Sequence, residues 1–135
     1  MEYSLISKEL TNKLNKLIKK DNGIFFTPPS CINNNLNILK QYITIKESHD
    51  TSLVCLEPSC GSCEYITAIN KLYPNINITG IEYNETIYKS ISHLNSDKIN
   101  IFNMDFLKYK TNIKYDLIIG NPPYFVMKKQ NVYIY

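Results

Sequence analysis

Two consecutive prolines, Pro122 and Pro123, close an apolar run that starts at Tyr115. Neither can donate a ladder hydrogen bond, so a buried strand beginning at Tyr115 must stop before them. The residue ahead of a proline is driven into an extended conformation, which fixes the direction of the Asn121 amide and of the carbonyl that follows it. In open α/β sheets, ligands bind at the carboxyl ends of the strands. A stiff polar-aromatic turn at that end, Asn121-Pro122-Pro123-Tyr124, constrains both the fold and its use.

The residues upstream agree with such a sheet. Residues 2–20 have helical periodicity through Tyr3, Ile6, Leu10, Leu14 and Leu17, and Asp21-Asn22-Gly23 closes the helix. An extended stretch, Ile24-Phe25-Phe26-Thr27-Pro28-Pro29, leads into a second helix whose apolar face is Ile32, Leu36, Leu39 and Ile43. A polar connection follows at residues 46–51. Short apolar strands are then expected at residues 52–56, 77–81, 98–103 and 114–119. Helices fall between them at 64–73, with Tyr65, Ile69 and Leu72 inward, and at 85–94, with Ile87, Ile91 and Leu94 inward. This alternation implies an α/β fold: four parallel strands with flanking helices, preceded by two N-terminal helices. Two units are expected, an amphipathic helix over residues 1–22 and a domain over 23–135.

Composition excludes several classes. Hydrophobic residues make up 44% of the 135, with a mean hydropathy of -0.24, as in a globular chain with one core. No apolar run approaches the roughly 20 residues of a membrane span. The N-terminus lacks a signal-peptide pattern, so an intracellular, cytoplasmic protein is expected, with no membrane partner. That compartment disfavours disulfides among Cys31, Cys55, Cys60 and Cys63. Cys60-Gly-Ser-Cys63 has the spacing of a redox motif or half a zinc site. Zinc would need two further ligands, and His49 and His93 are isolated, so no metal is expected. The redox reading stays open, since a helix N-terminus at Cys63 would lower its pKa. The net charge of +3 arises in residues 1–20, which fits nucleic acid or simply a solvated helix face.

Each expected strand ends in residues with chemical potential. The first ends in Leu56-Glu57-Pro58-Ser59-Cys60-Gly61-Ser62-Cys63, a loop of small residues that lets a ligand approach the backbone beside a helix N-terminus. The second ends in Glu82, an acidic side chain suited to ribose hydroxyls or, equally, to opening a helix. The third ends in Asp105-Phe106, an acceptor for an exocyclic amine beside a ring that covers a purine, or else a turn cap. The fourth ends in the proline turn. Their joint occurrence in this order is more informative than any one of them.

Together these segments resemble the successive motifs of S-adenosylmethionine-dependent DNA adenine-N6 methyltransferases, specifically the TaqI-like, gamma-type amino-methyltransferases. The resemblance rests on Phe26-Thr27-Pro28-Pro29, Leu56-Glu57-Pro58-Ser59-Cys60-Gly61, Gly80-Ile81-Glu82, Met104-Asp105-Phe106-Leu107 and residues 116–124, and covers about residues 23–127. It implies a Rossmann-like methyltransferase fold in incomplete form, S-adenosyl-L-methionine as cofactor and DNA as partner. It implies that Thr27 and Pro28 line the methionine end of the cofactor. Glu57, Pro58, Ser59 and Gly61 would hold its amino-acid portion, Glu82 its ribose, and Asp105 with Phe106 its adenine. Asn121 would border the cofactor and, with the Pro122 carbonyl, accept from the substrate amine, Pro123 completing the turn, and Tyr124 would stack on the extruded base.

Two departures accompany the resemblance. Cys63 stands where the family usually has a third glycine, so crowding of the cofactor or of the helix is expected. The chain also ends eleven residues after Tyr124. A truncated, split or degenerate product is therefore expected, and one source for further strands and the target-recognition region would be a second chain. Two alternatives remain: a methyltransferase of protein glutamine or RNA guanine amines, and a non-catalytic cofactor-binding remnant or subunit.

Overall fold

The computed structural model describes residues 2–14, 24–47 and 53–124. Helix α1 (Leu5–Lys13) is followed by α2 (Pro29–Glu47), strand β1 (Val54–Glu57), α3 (Glu64–Leu72), β2 (Asn77–Glu82), α4 (Glu85–Ile91), β3 (Ile99–Asn103) and β4 (Leu117–Ile118). Single 3-10 turns occupy Ser92–Leu94 and Phe106–Lys108. The four strands form one sheet in the order β3-β2-β1-β4, and every pairing is parallel. The expected α/β architecture is thus present. The end of the first helix at Asp21-Asn22-Gly23, Leu17, and the connection at residues 48–51 lie outside the described residues.

Helix starts follow local chemistry. The Ser4 hydroxyl accepts from the Ser7 N–H and caps α1, and the Asn84 carboxamide accepts from the Thr86 and Ile87 N–H groups and caps α4. Pro29 opens α2, where the absence of an N–H costs nothing. The α3 start is different, since its cap residue Cys63 offers no side-chain acceptor.

One hydrophobic cluster joins all four helices to one face of the sheet. It contains Leu10, Ile32, Leu36, Ile43, Ile66, Ile69, Ile87 and Ile91 from the helices, Leu14 just after α1, and Cys55, Ile78, Ile99 and Ile101 from the strands. The register explains the selection, because Cys55, Ile78 and Ile99 are cross-strand neighbours and side chains alternate between faces. Gly80 permits the closest approach, since a Cβ there would lie 2.6 Å from Ile66 Cδ1.

The other face is treated differently. Its residues include Leu56, Thr79, Ile81, Phe102 and Ile118. Leu56 and Ile81 are buried yet lie outside the main cluster. Here the Tyr109 ring lies 6.2 Å from Phe102, and its hydroxyl is 2.7 Å from that of Tyr115.

Two expectations need correction. Leu72 does not face inward: it is 56% exposed, and Ile66 takes the inward position. A helix starting at Glu64 turns about 100° per residue, so Ile66 and Ile69 share the face that Leu72 has left. The fourth strand is neither as long as residues 114–119 nor buried. Only Leu117–Ile118 pair with β1, and Ile118 is 64% exposed, because β4 lies at the sheet edge with nothing beyond it among the described residues.

Candidate cofactor and amine site

The carboxyl ends of β1, β2 and β4 meet around the loop that joins β1 to α3. Two backbone hydrogen bonds shape this loop: the Cys60 N–H donates to the Ile81 carbonyl and the Cys63 N–H to the Cys60 carbonyl, each at 2.8 Å. Gly61 and Cys63 both take left-handed conformations, with φ of 53° and 63°. Gly61 does so at no steric cost. Cys63 carries the strain that a glycine would avoid, and its thiol is fully buried in the core cluster. The expected crowding is therefore directed at helix packing.

Glu82 ties this loop to the next one. Its Oε2 accepts from the Gly61 N–H at 2.8 Å and its Oε1 from the Asn84 N–H at 2.7 Å. Burial pushes its carboxyl above the usual range, and the backbone N–H groups of Asn84, Gly61 and Tyr83 oppose that shift.

Glu57, at the end of β1, is buried, and its Oε2 has no hydrogen-bond partner. The Ser59 hydroxyl is also buried without a partner. Burial raises the Glu57 carboxyl well above its ordinary range, with the negative charge of neighbouring groups adding to the shift and the Ile66 N–H opposing it. Two orphaned polar atoms in one place are uncommon in a folded interior and call for a ligand or solvent partner.

Both residues line an open cleft. Thr27, Gly61 and Asn121 line it too, together with Phe25, Phe26, Cys60, Ser62, Glu64 and Tyr65. Five of the sequence-selected residues are therefore brought together from three segments: Thr27, Glu57, Ser59, Gly61 and Asn121. Pro28, Pro58, Glu82, Asp105, Phe106, Pro122, Pro123 and Tyr124 are not on the pocket wall. Asp105 caps the 3-10 turn, its Oδ1 accepting from the Leu107 N–H at 3.0 Å, and Phe106 is partly exposed. Tyr124 is 70% exposed.

Sequence reasoning missed Phe25, Glu64 and Tyr65 as wall residues. Phe25 precedes the Thr27-Pro28-Pro29 stretch, and Glu64 and Tyr65 follow the small-residue loop, so adjacency to a selected motif was the available signal. The redox reading of Cys60 and Cys63 loses its support. Both thiols are free and buried, and Cys60 is driven strongly toward the protonated form by its hydrogen bond with Cys63 and by burial.

Against this geometry, the model of the Eco57I restriction-modification methylase family matches residues 11–135. The chain belongs to that family. The resemblance to DNA methyltransferases drawn from the strand-end motifs is thereby met. Curated relatives agree. The type II methyltransferase M.CvrRI of Paramecium bursaria Chlorella virus XZ-6E is 35% identical over 120 residues, 88% of this chain and 29% of the relative. The modification methylase CviBIII of Paramecium bursaria Chlorella virus NC1A is 30% identical over 126 residues, 93% of this chain and 32% of the relative. The chain thus spans about a third of the length of these relatives. Among solved structures, the plantazolicin methyltransferase BpumL, in complex with a monoazolic desmethylPZN analogue and SAH, aligns with a TM-score of 0.56 at 22% identity. The alignment covers 84% of this chain and 38% of that one. The N-terminal domain of human METTL16 in complex with SAH gives a TM-score of 0.56 at 19% identity, covering 84% and 52%. These likenesses show the Rossmann-like methyltransferase fold. Methylases of this family draw on S-adenosylmethionine as methyl donor. No helix among the described residues is long and apolar enough to cross a membrane.

Proposed function

We propose that the chain carries the cofactor-binding and amine-binding part of an adenine-specific DNA methyltransferase. Methyl would pass from S-adenosylmethionine to the exocyclic amine of an adenine extruded from the duplex, inside the cell where that DNA resides. The observation that carries this reading is the shared pocket: Asn121 lines the same wall as Thr27, Glu57, Ser59 and Gly61.

The donor set fits the cofactor. Glu57 Oε2 and Ser59 Oγ are buried and unpartnered. An amino-acid head group, with its ammonium on Glu57 and its carboxylate on the Ser59 hydroxyl, satisfies both. When bound, S-adenosylmethionine supplies an electrophilic methyl on a sulfonium. Thr27 lines the methionine end with Pro28 behind it, Pro58 stiffens the start of the loop, and Gly61 leaves its backbone open to the ligand. Glu82 accepts from ribose hydroxyls with the lone pairs its backbone partners leave free. Asp105 accepts from the adenine amine with its remaining oxygen, and Phe106 lies against the ring.

Asn121 and the Pro122 carbonyl accept from the substrate amine, and Pro123 keeps the turn rigid. An adenine amine is a poor nucleophile because its lone pair is delocalised into the ring. Two fixed acceptors favour the pyramidal nitrogen and the positive charge that develops on it. Tyr124, exposed in the structure, offers a stacking platform that offsets part of the cost of unstacking the base. The turn contains no His, Asp or Glu, which suits a proton lost to solvent after transfer.

The test is transfer of labelled methyl from S-adenosylmethionine to duplex DNA, RNA and a glutamine peptide. Label on adenine N6 is the expected result. Label confined to guanine or glutamine amines would move the chain to the other methyltransferases of planar nitrogens.

A second reading is favoured by the exposed Ile118 and Phe102 on the thinly covered face of the sheet. In it the chain is a cofactor-binding subunit, and transfer requires further polypeptide packed on that face, from a second chain or from more of the same protein. Transfer by this chain alone at the rate of a longer product of the same gene would rule that out.

A further inference from the structure

Helix α1 is tied to the β1–α3 loop through a cluster of hydroxyls on one carboxylate. Ser7 is 1% exposed, although it is a polar residue on the first turn of a surface helix. Its hydroxyl lies 2.7 Å from that of Ser62 and also contacts Glu64 Oε1. The same Glu64 oxygen accepts from the Ser4 N–H at 3.0 Å and from the Ser4 hydroxyl at 2.7 Å. A hydroxyl has one proton and a carboxylate only accepts, so the consistent assignment has Ser7 donating to Glu64 and Ser62 donating to Ser7. Ser62 and Glu64 both line the pocket. They flank Cys63, the non-glycine residue held at a positive φ, which caps α3 without a side-chain acceptor of its own. A strained backbone of this kind persists only where its surroundings over-determine it. Here the residues on either side of the strained one are gripped from α1, and residues 5–10 of that helix precede the family match at residue 11.

We infer that Ser7 is a positioning residue for cofactor binding: through Ser62 and Glu64 it holds the pocket loop in its binding conformation. This rests on the reading of the pocket as the S-adenosylmethionine site. Ser7 touches no cofactor atom and acts only through the loop. Removing its hydroxyl leaves the Ser62 proton buried without an acceptor and releases one of the donors on Glu64, so the loop relaxes away from the geometry that Gly61 and Cys63 maintain.

The experiment is calorimetric titration of the chain with S-adenosylhomocysteine, together with thermal melting and amide exchange of residues 59–64 without ligand. Four proteins are compared: wild type, Ser7→Ala, Ser4→Ala and the remote core variant Ile99→Val, all at a temperature where each is folded. Ser7→Ala is expected to bind about tenfold more weakly, as one buried charge-assisted hydrogen bond would suggest. Its loop amides are expected to exchange faster while the β2 amides stay protected. Ser4→Ala, at a half-buried position, should show the same pattern at about threefold, and serves if Ser7→Ala does not fold. Ile99→Val should lower the melting temperature and leave affinity within about twofold. Wild-type affinity in both serine variants would overturn this role alone. Affinity that tracks melting temperature across all variants, Ile99→Val included, would overturn it as mere destabilisation. If wild type itself binds no S-adenosylhomocysteine, the pocket reading and this role fall together.

Discussion

The carboxyl ends of β1 and β4 sit side by side in the sheet and are built in opposite ways. The β1 end is enclosed: Glu57 is buried, the loop behind it is held by Ile81 and Glu82, and α1 grips its far side. The β4 end is open, with two paired residues, Ile118 at 64% exposure and Pro122, Pro123 and Tyr124 exposed. A pocket for a charged small molecule gains from a dry wall in which few dipoles act strongly. A surface that takes a base from a duplex must stay accessible to something as large as DNA. On the proposed reading the two strand ends serve different ligands, cofactor at one and base at the other, and each can be disturbed separately.

The largest effect is expected at the open end. Asn121→Ala should reduce methyl transfer at least about 100-fold, as loss of a transition-state hydrogen bond does. Binding of S-adenosylhomocysteine should change by less than about threefold, since the proposed partner of the side chain is the substrate amine. Parallel losses in calorimetry and in transfer would erase the distinction between the two ends. At the enclosed end, Glu82→Ala should cost about 1–3 kcal/mol of cofactor affinity because it also strands the Gly61 and Asn84 N–H groups. Titration at constant temperature reads this directly, and an unaltered Kd would remove Glu82 from the site.

Next comes stability. Gly80→Ala puts a methyl 2.6 Å from Ile66 Cδ1, so overpacking of about 1–3 kcal/mol should appear in urea unfolding. On the open side, Ile118→Asn should cost less than about 0.5 kcal/mol in the chain alone. A large loss there would mean that β4 is already well covered.

The pH dependence sharpens the same contrast, because both buried carboxyls lie at the enclosed end. Glu57 and Glu82 are acids with folded pKa values raised above the unfolded ones, chiefly by burial. Above the ordinary carboxylate range the native state therefore holds more protons than the unfolded chain. Stability without ligand should fall as pH climbs from that range and level off above the folded values. A ligand ammonium favours ionised Glu57, so binding should release protons and tighten as pH rises. Calorimetry in two buffers of different ionisation enthalpy would detect the release, and identical heats would separate Glu57 from the ammonium.

Much of the framework was legible in the order of residues. Short β-branched runs, each followed by a helical period, require strands and helices in alternation, and parallel pairing follows because successive strands run the same way. The proline pair set a limit that β4 does not pass, and Phe26-Thr27-Pro28-Pro29 placed the start of α2, since both act through local backbone sterics. The choice between Ile66 and Leu72 was not legible. Both are apolar and both belong to α3, and only the docking of that helix over Gly80 selects one of them.

The polar features depended still more on tertiary structure. Glu57 and Ser59 are named as site residues through the family resemblance, but that their oxygens are buried and unpartnered is a property of what closes over them. Ser7 reads in sequence as one polar residue in an amphipathic helix, and only the approach of α1 to Glu64 makes it the hub of a hydrogen-bond cluster. Cys63 stands in sequence as a departure from glycine; the fold turns its side chain into the core and leaves the strain in the backbone. By itself the sequence determined whatever follows from backbone sterics and hydrophobic period, because those act within a few residues. The tertiary structure alone decided which polar atoms are desolvated and which strand end stays open, because burial is set by segments far apart in the chain.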